Sequence, residues 1–332
     1  RHISARSTGL LFPGRAVRKL MKISNIVLLA GICFALSSGT LSLTGQETST
    51  VHAVVTATTK SAEDITSVPQ QSITLQENRK AQQVTGWVPL RGPRAGLQLV
   101  VLLDDASRAG LGLQLNDLKN FLMALPPTAQ VAVGYMRNGS PNMVQNFTTD
   151  HARAADAFRL PIGSGGINGS PYFCLSALAK QWPGGSDVRR EVIMVTDGVD
   201  RYSGERRFDP EDPYVQSAVR DAQRAGIIVY SIYYRGAGRA DRGFTATNTG
   251  QNYLTQVSGA TGGKVYTEGF GNPVSFAPFL SDIQHKLQNQ YELSFTSTSK
   301  PGLQQIKVKT SQPNTSLLYP ASVPVGGVKP SQ

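Results

Sequence analysis

The chain has 332 residues, 40% of them hydrophobic, and a net charge of +11. That content supports one sizeable core with smaller flanks, and two cysteines exclude a disulfide framework. The charge is not a nucleic-acid signature, because Arg1, Arg6, Arg15, Arg18, Lys19 and Lys22 all precede the first acid, Glu47, and without them it falls to +5.

Arg18, Lys19 and Lys22 stand before an apolar run from Ile26 to Leu36, and small polar residues follow from Ser37 to Gly45. This is the order of a signal peptide. The run is short against the roughly 20 residues of a membrane span. Residues 1–45 are therefore expected to be an upstream tail and signal peptide, with Met21 where translation would begin. The mature protein is expected in the periplasm or secreted, without a stable membrane anchor. Ile32 separates Ala30-Gly31 from Cys33, which argues against a lipid anchor, and loss of Cys33 leaves Cys174 a lone thiol. Residues 46–62, mostly Thr, Ser, Val and Ala, read as a linker. An N-terminal β flank follows over 63–92, with alternation at Ser72–Gln76 and again at Gln82–Val88 around a turn at Glu77–Lys80.

The main domain is expected over 96–290. Leu97–Leu103 is nearly unbroken apolar sequence ending in Asp104-Asp105, the pattern of a strand buried on both faces. Leu111, Leu115, Leu118, Leu122 and Leu125 share one helical face until Pro126-Pro127. A strand at Val131–Met136, an edge strand at Val144–Phe147 and helices at Asp150–Leu160 and Tyr172–Trp182 follow. Next come strand Glu191–Thr196, helix Pro213–Ala225 and strand Ile227–Tyr234. Helices at Gly250–Val257 and Phe276–Gln288 flank a brief strand at Lys264–Tyr266. Such alternation predicts an α/β fold, a doubly wound, mostly parallel, Rossmann-like sheet covered on both faces. Tyr291–Ser297 and Gln305–Thr310, around Lys300-Pro-Gly, predict a hairpin in a C-terminal β flank over 291–320, before a disordered tail at 321–332. The two flanks are expected to build one small β-rich domain around Trp87, Leu293 and Phe295, since neither hairpin alone buries enough apolar surface.

Ligands of doubly wound sheets sit beyond the carboxyl ends of the strands. Three such places here supply oxygen: Asp104-Asp-Ala-Ser107-Arg-Ala, Gly169-Ser170-Pro, and Asp197-Gly-Val-Asp200. With Val195-Thr-Asp197-Gly, they resemble the metal-ion-dependent adhesion site of the von Willebrand factor type A family, in particular of bacterial proteins related to it. The resemblance implies metal ligation by Asp104 or Asp105, Ser107, Ser170 and Asp197, with Mg²⁺ as the ion and a carboxylate of a protein partner completing its shell. The first loop departs from the family's Asp-x-Ser-x-Ser. Started at Asp104, both serine positions hold Ala106 and Arg108; started at Asp105, Ser107 is kept and Ala109 replaces the last. Ser170 stands for the family's Thr. Arg108 and Asp200 are assigned to partner binding, and Arg108 either repels a cation or takes over part of its role. The implied function is a protein-interaction module rather than an enzyme, the alternative being a scaffold with a vestigial metal site.

Other signals read plainly. Gly236-Ala-Gly238 lacks the third glycine and the helix of a dinucleotide site. His52, His151 and His285 follow no strand end, so none is a candidate base, and no small-molecule substrate is expected. Cys174, beside Leu175 and Leu178, reads as core. Arg206, Arg207, Arg235, Arg239 and Arg242 lie in loops, the first two among acids, and without alternating aromatics they give no support to nucleic-acid binding.

Overall fold

The computed structural model describes residues 48–59, 67–166, 168–185, 188–203, 208–238 and 243–326. The expected signal peptide, together with Arg206, Arg207, Arg239 and Arg242, lies outside them. In chain order the first flank gives β1 (Ser49–Thr59), β2 (Ile73–Glu77), β3 (Lys80–Gln82) and β4 (Val84–Pro89). The α/β region gives β5 (Leu97–Asp104), α1 (Leu115–Met123), β6 (Gln130–Arg137), β7 (Ser140–Thr148), α2 (His151–Asp156) and α3 (Pro171–Lys180). It continues with β8 (Arg189–Thr196), α4 (Pro213–Arg224), β9 (Ile227–Tyr233), α5 (Phe244–Thr261), β10 (Val265–Tyr266) and α6 (Ala277–Gln288). The second flank adds β11 (Gln290–Ser297), β12 (Gly302–Thr310), β13 (Thr315–Leu318) and β14 (Ser322–Val325).

Every residue of β5 is buried, and its side chains divide by parity. Leu97, Leu99, Val101 and Leu103 pack with α1 and α6 on one face; Val100 and Leu102 pack with α3, α4 and α5 on the other. A period of two on a strand covered by helices on both sides requires this. The sheet order is β10-β9-β8-β5-β6-β7. Strands joined through helices run parallel, while β7 returns antiparallel to β6 after a two-residue turn. Counted within this sheet, the order is the doubly wound 3-2-1-4-5-6, and its direction reverses between β5 and β8.

The flanks differ from expectation in four ways. Residues 49–59, read as linker, form β1 between β11 and β13. Its alternating Val51, Ala53, Val55 and Ala57 are buried, so the Val/Thr-rich composition is a β-strand signal whose partners lie at the far end of the chain. Second, the hairpins re-pair. The turn at Asn78-Arg79, both with positive φ, joins β2 only to β3, and β4 crosses to pair with β11. Third, β11 and β12 are not a hairpin: β12 pairs with β2 and β14, in the other sheet. Fourth, Ser322–Val325 of the expected disordered tail is β14. The resulting sheets, β13-β1-β11-β4 and β14-β12-β2-β3, share an apolar cluster that includes Trp87, Leu293 and Phe295. Trp87 stacks on Tyr291 at 4.6 Å and donates from Nε1 to Val68 O at 2.8 Å.

Within the α/β region, α5 is longer than the expected 250–257, and α2 stops at Asp156 rather than 160. The early stop leaves Arg159 free to fold back on β6. Cys174 is buried, as a core residue would be. Among the described residues, no helix is long and apolar enough to cross a membrane.

If β1 is an inner strand, amides over 51–57 should resist hydrogen exchange as strongly as those of β11. Exchange at the rate of an unstructured chain would return this segment to a linker.

Candidate functional site

Asp104 ends β5 and Asp197 follows β8, so the reversal of sheet order places them on adjacent strand ends. Both are almost fully buried. Asp104 Oδ1 accepts from Ala106 N at 2.8 Å, and its Oδ2 accepts from Thr196 Oγ1 at 2.6 Å. Thr196 Oγ1 in turn accepts from Gly198 N at 3.1 Å. Asp197 Oδ1 accepts from Val199 N at 3.0 Å. The guanidinium of Arg201 spans the two acids: Nη2 lies 2.5 Å from Asp197 Oδ2, and Nη1 lies 3.9 Å from Asp104 Oδ2. Burial pushes the Asp104 carboxyl up, and Arg201, Thr196 and the Ala106 amide pull against it.

The turn after β8 depends on close backbone approach. Gly198 has φ of +69°, and a methyl group on Gly250 of α5 would stand 2.0 Å from Asp197 O. Glycine at both places lets α5 press on the Asp197–Gly198 turn. That contact aims the carboxylate toward β5, and Tyr172 Oη fixes the turn by donating to Gly198 O at 2.6 Å.

Asp105 points elsewhere. Arg159 holds it bidentately, at 2.7 and 2.9 Å, and lies 3.7 Å over the Tyr135 ring. Tyr135 Oη fixes the arginine's main chain, accepting from Arg159 N at 2.6 Å and donating to Arg159 O at 2.8 Å. Beside this pair opens a cavity of about 360 Å³ lined by Asp105, Arg137, Asn138, Ser140, Asn142 and Arg159. Arg159 is already paired with Asp105 there, and Arg137, which also lines the cavity, is exposed.

The remaining expected residues divide. Ser170 caps α3, accepting from Phe173 N at 3.4 Å. It also helps to lower the Asp200 carboxyl, which burial raises. Asp200 Oδ1 accepts from Tyr202 N at 3.0 Å, whereas Asp200 Oδ2 and Ser107 Oγ are buried without a well-formed hydrogen bond. Ser107 bridges to Gly236. Arg108 joins the same loop through its amide, donating to Arg235 O at 3.3 Å, and its charge acts on Tyr234. Arg201, which the sequence reading passed over, is the arginine at the paired acids; its signal was the spacing of four from Asp197. Arg159 and Thr196 were missed as well, the first because it was expected inside a helix.

The geometry puts Asp104, facing Thr196, at the head of the first loop. Both serine positions are then Ala106 and Arg108. The carboxylates left to a cation are already engaged, and among the described residues no group of three or more His, Cys, Asp or Glu is placed to hold a metal. Two unit charges about 4 Å apart interact by about 4 kcal/mol at an effective dielectric of about 20, so a dication at these acids meets about twice that repulsion from Arg201. The residues present therefore do not fit Mg²⁺.

A cavity of about 730 Å³ opens at the opposite end of the sheet, where Arg94, Arg189, Arg190 and Arg224 line it. Arg189, which is buried, and Arg190, which is half-buried, donate mainly to main-chain carbonyls. Arg189 donates to Leu287 O and Ala95 O, and Arg190 donates to Ala225 O and Gly185 O. Nearby, burial raises the Glu191 carboxyl to about 7 against the pull of Arg189. This end ties helix ends to the sandwich, which is a structural role.

Gly250→Ala is expected to destabilise the fold by about 1–3 kcal/mol through overpacking and to loosen the Asp197 turn. Thermal unfolding checks it, and an unchanged midpoint would contradict the close approach.

No family model matches the chain, and no curated protein matches it in sequence. Solved structures similar to it include the conserved hypothetical protein BatB from Bacteroides thetaiotaomicron, 13% identical at a TM-score of 0.41, covering 58% of this chain and 97% of that one. A von Willebrand factor type A protein from Catenulispora acidiphila is 11% identical at 0.42, covering 81% and 72%. The manganese-loaded TRAP protein of Plasmodium vivax is 10% identical at 0.40, covering 70% and 95%. Likeness at this level is one of fold alone, and the chain is similar to von Willebrand factor A-like domain proteins.

Proposed function

We propose that the chain is an exported protein-interaction module, without catalysis of its own, that receives an acidic side chain of a protein partner at the carboxyl end of its central sheet. The observation that carries this reading is the cavity beside Asp105, lined by the exposed Arg137 and by the Arg159–Asp105 pair. A guanidinium suits a carboxylate, and with Arg159 paired to Asp105 the exposed Arg137 is the arginine that meets the partner's acid. Export is supported by the basic, apolar, small-residue order of residues 18–45, with the periplasm or the exterior as destination. The absence of catalysis is supported by the histidines. His151 is buried against Ala129 O at 2.9 Å, His52 lies beside Ser294 and Glu292 on the sandwich, and His285 lies on α6. None stands beside Asp104 or Asp197. The flanking sheets serve in this reading as a small β-rich domain that supports the end of the sheet away from the partner.

A scaffold role is the second reading. It is favoured by the internal engagement of Asp104, Asp105 and Asp197. A labelled oligoglutamate peptide, with oligoglutamine as control, separates the two readings by fluorescence anisotropy. The module should bind oligoglutamate selectively and more weakly as salt rises. Arg137→Ala should weaken it by about 10-fold or more, the loss of one charge-assisted hydrogen bond. Absence of selective binding at low salt, or equal binding by the variant, gives the scaffold reading the lead.

A further inference from the structure

We infer that Arg201 is a built-in occupant of the cation position at the paired strand ends. It neutralises Asp104 and Asp197 from within the chain, so that the site works without a divalent ion and a latent ion site lies beneath the guanidinium. The inference stands apart from what docks beside Asp105.

Three observations carry it. First, Arg201 reaches both acids, at 2.5 Å from Asp197 and 3.9 Å from Asp104, with only 20% of its side chain exposed. Two neighbouring buried carboxylates need a positive charge between them, and this is the group that supplies it. Second, Arg201 is fastened by main chain and side chain: its backbone amide donates to Gly169 O at 3.1 Å, and its guanidinium Nη1 donates to Val199 O at 3.3 Å. The charge is thus held in place by both loops that flank it. Third, two buried oxygens in the neighbouring loops, Ser107 Oγ and Asp200 Oδ2, have no well-formed hydrogen bond. Both are oxygens of the kind a hard cation takes, and the Ser107 hydroxyl lacks an acceptor, which a guanidinium cannot supply.

The test uses the protein from residue 46 onward, covering the whole compact unit, with calorimetric titration of MnCl₂ and thermal unfolding with and without EDTA. Wild type should give no saturable heat up to millimolar Mn²⁺ and the same melting midpoint in EDTA. Arg201→Ala should melt lower than wild type, bind Mn²⁺ at least roughly tenfold more tightly, and recover part of its lost midpoint when Mn²⁺ is added. Arg201→Lys keeps the charge and should refuse the ion as wild type does. Saturable binding by wild type, or a midpoint that falls in EDTA, overturns the inference, and so does Arg201→Ala that folds yet gains no affinity. If Arg201→Ala does not fold, the comparison of wild type with Arg201→Lys decides: the inference holds if both refuse Mn²⁺ and ignore EDTA, and fails if either binds it.

Discussion

Two buried carboxylates on adjacent parallel strands are the constraint around which the rest of the site is arranged. β5 and β8 pair in parallel with Leu103 opposite Val195, so the residues that end them lie side by side. Desolvation alone would force a proton onto one of them. A hydroxyl from Thr196, amides from the turns and the guanidinium of Arg201 counter that tendency. The tight Gly198 turn, the closeness of α5 and the tether from Arg201 to Gly169 follow from the need to bring those groups to one place. Asp105, one residue further on, is drawn off by a separate arginine, and the loop after β5 thereby faces two ways.

The sheet divides its labour between its ends. At the amino end, Arg189 and Arg190 satisfy carbonyls at helix and strand termini, and the strands of the sandwich pack alongside. Arg189 is buried and Arg190 half-buried, and their bonds to these carbonyls fit a structural role. At the carboxyl end, Asp104, Asp105 and Asp197 are engaged by Arg201 and Arg159 within the chain, while Arg137 is exposed. The proposed interaction surface would be placed by a stiff sheet.

The α/β region was legible because its signals are local: apolar runs for β5, β8 and β9, leucine periodicity for α1, and Asp197-Gly for the turn. The sandwich was only partly legible. Val51, Ala53, Val55 and Ala57 alternate, but alanine is a weak marker, and the strands that cover them lie at the other end of the chain. The first expected hairpin forms only as far as β3, because β4 leaves it for β11, and the second does not form, since a turn such as Lys300-Pro-Gly can connect two sheets as readily as two neighbours in one. At the site, the sequence located Asp104, Asp197, Ser170 and Asp200 but gave the charged role to Arg108. Its backbone follows the β9 loop, away from the acids, which proximity in sequence to Asp104 could not reveal. Arg201, four residues past Asp197, reaches back across a turn whose shape depends on contacts with α5.

A crystal structure of the protein soaked in Mn²⁺, with anomalous data collected at the manganese edge, tests the internal occupant most directly. The expected map shows the Arg201 guanidinium within hydrogen-bonding distance of Asp197 and no anomalous peak beside Asp104. An anomalous peak shared by Asp104 and Asp197, with Arg201 turned out to solvent, would contradict it.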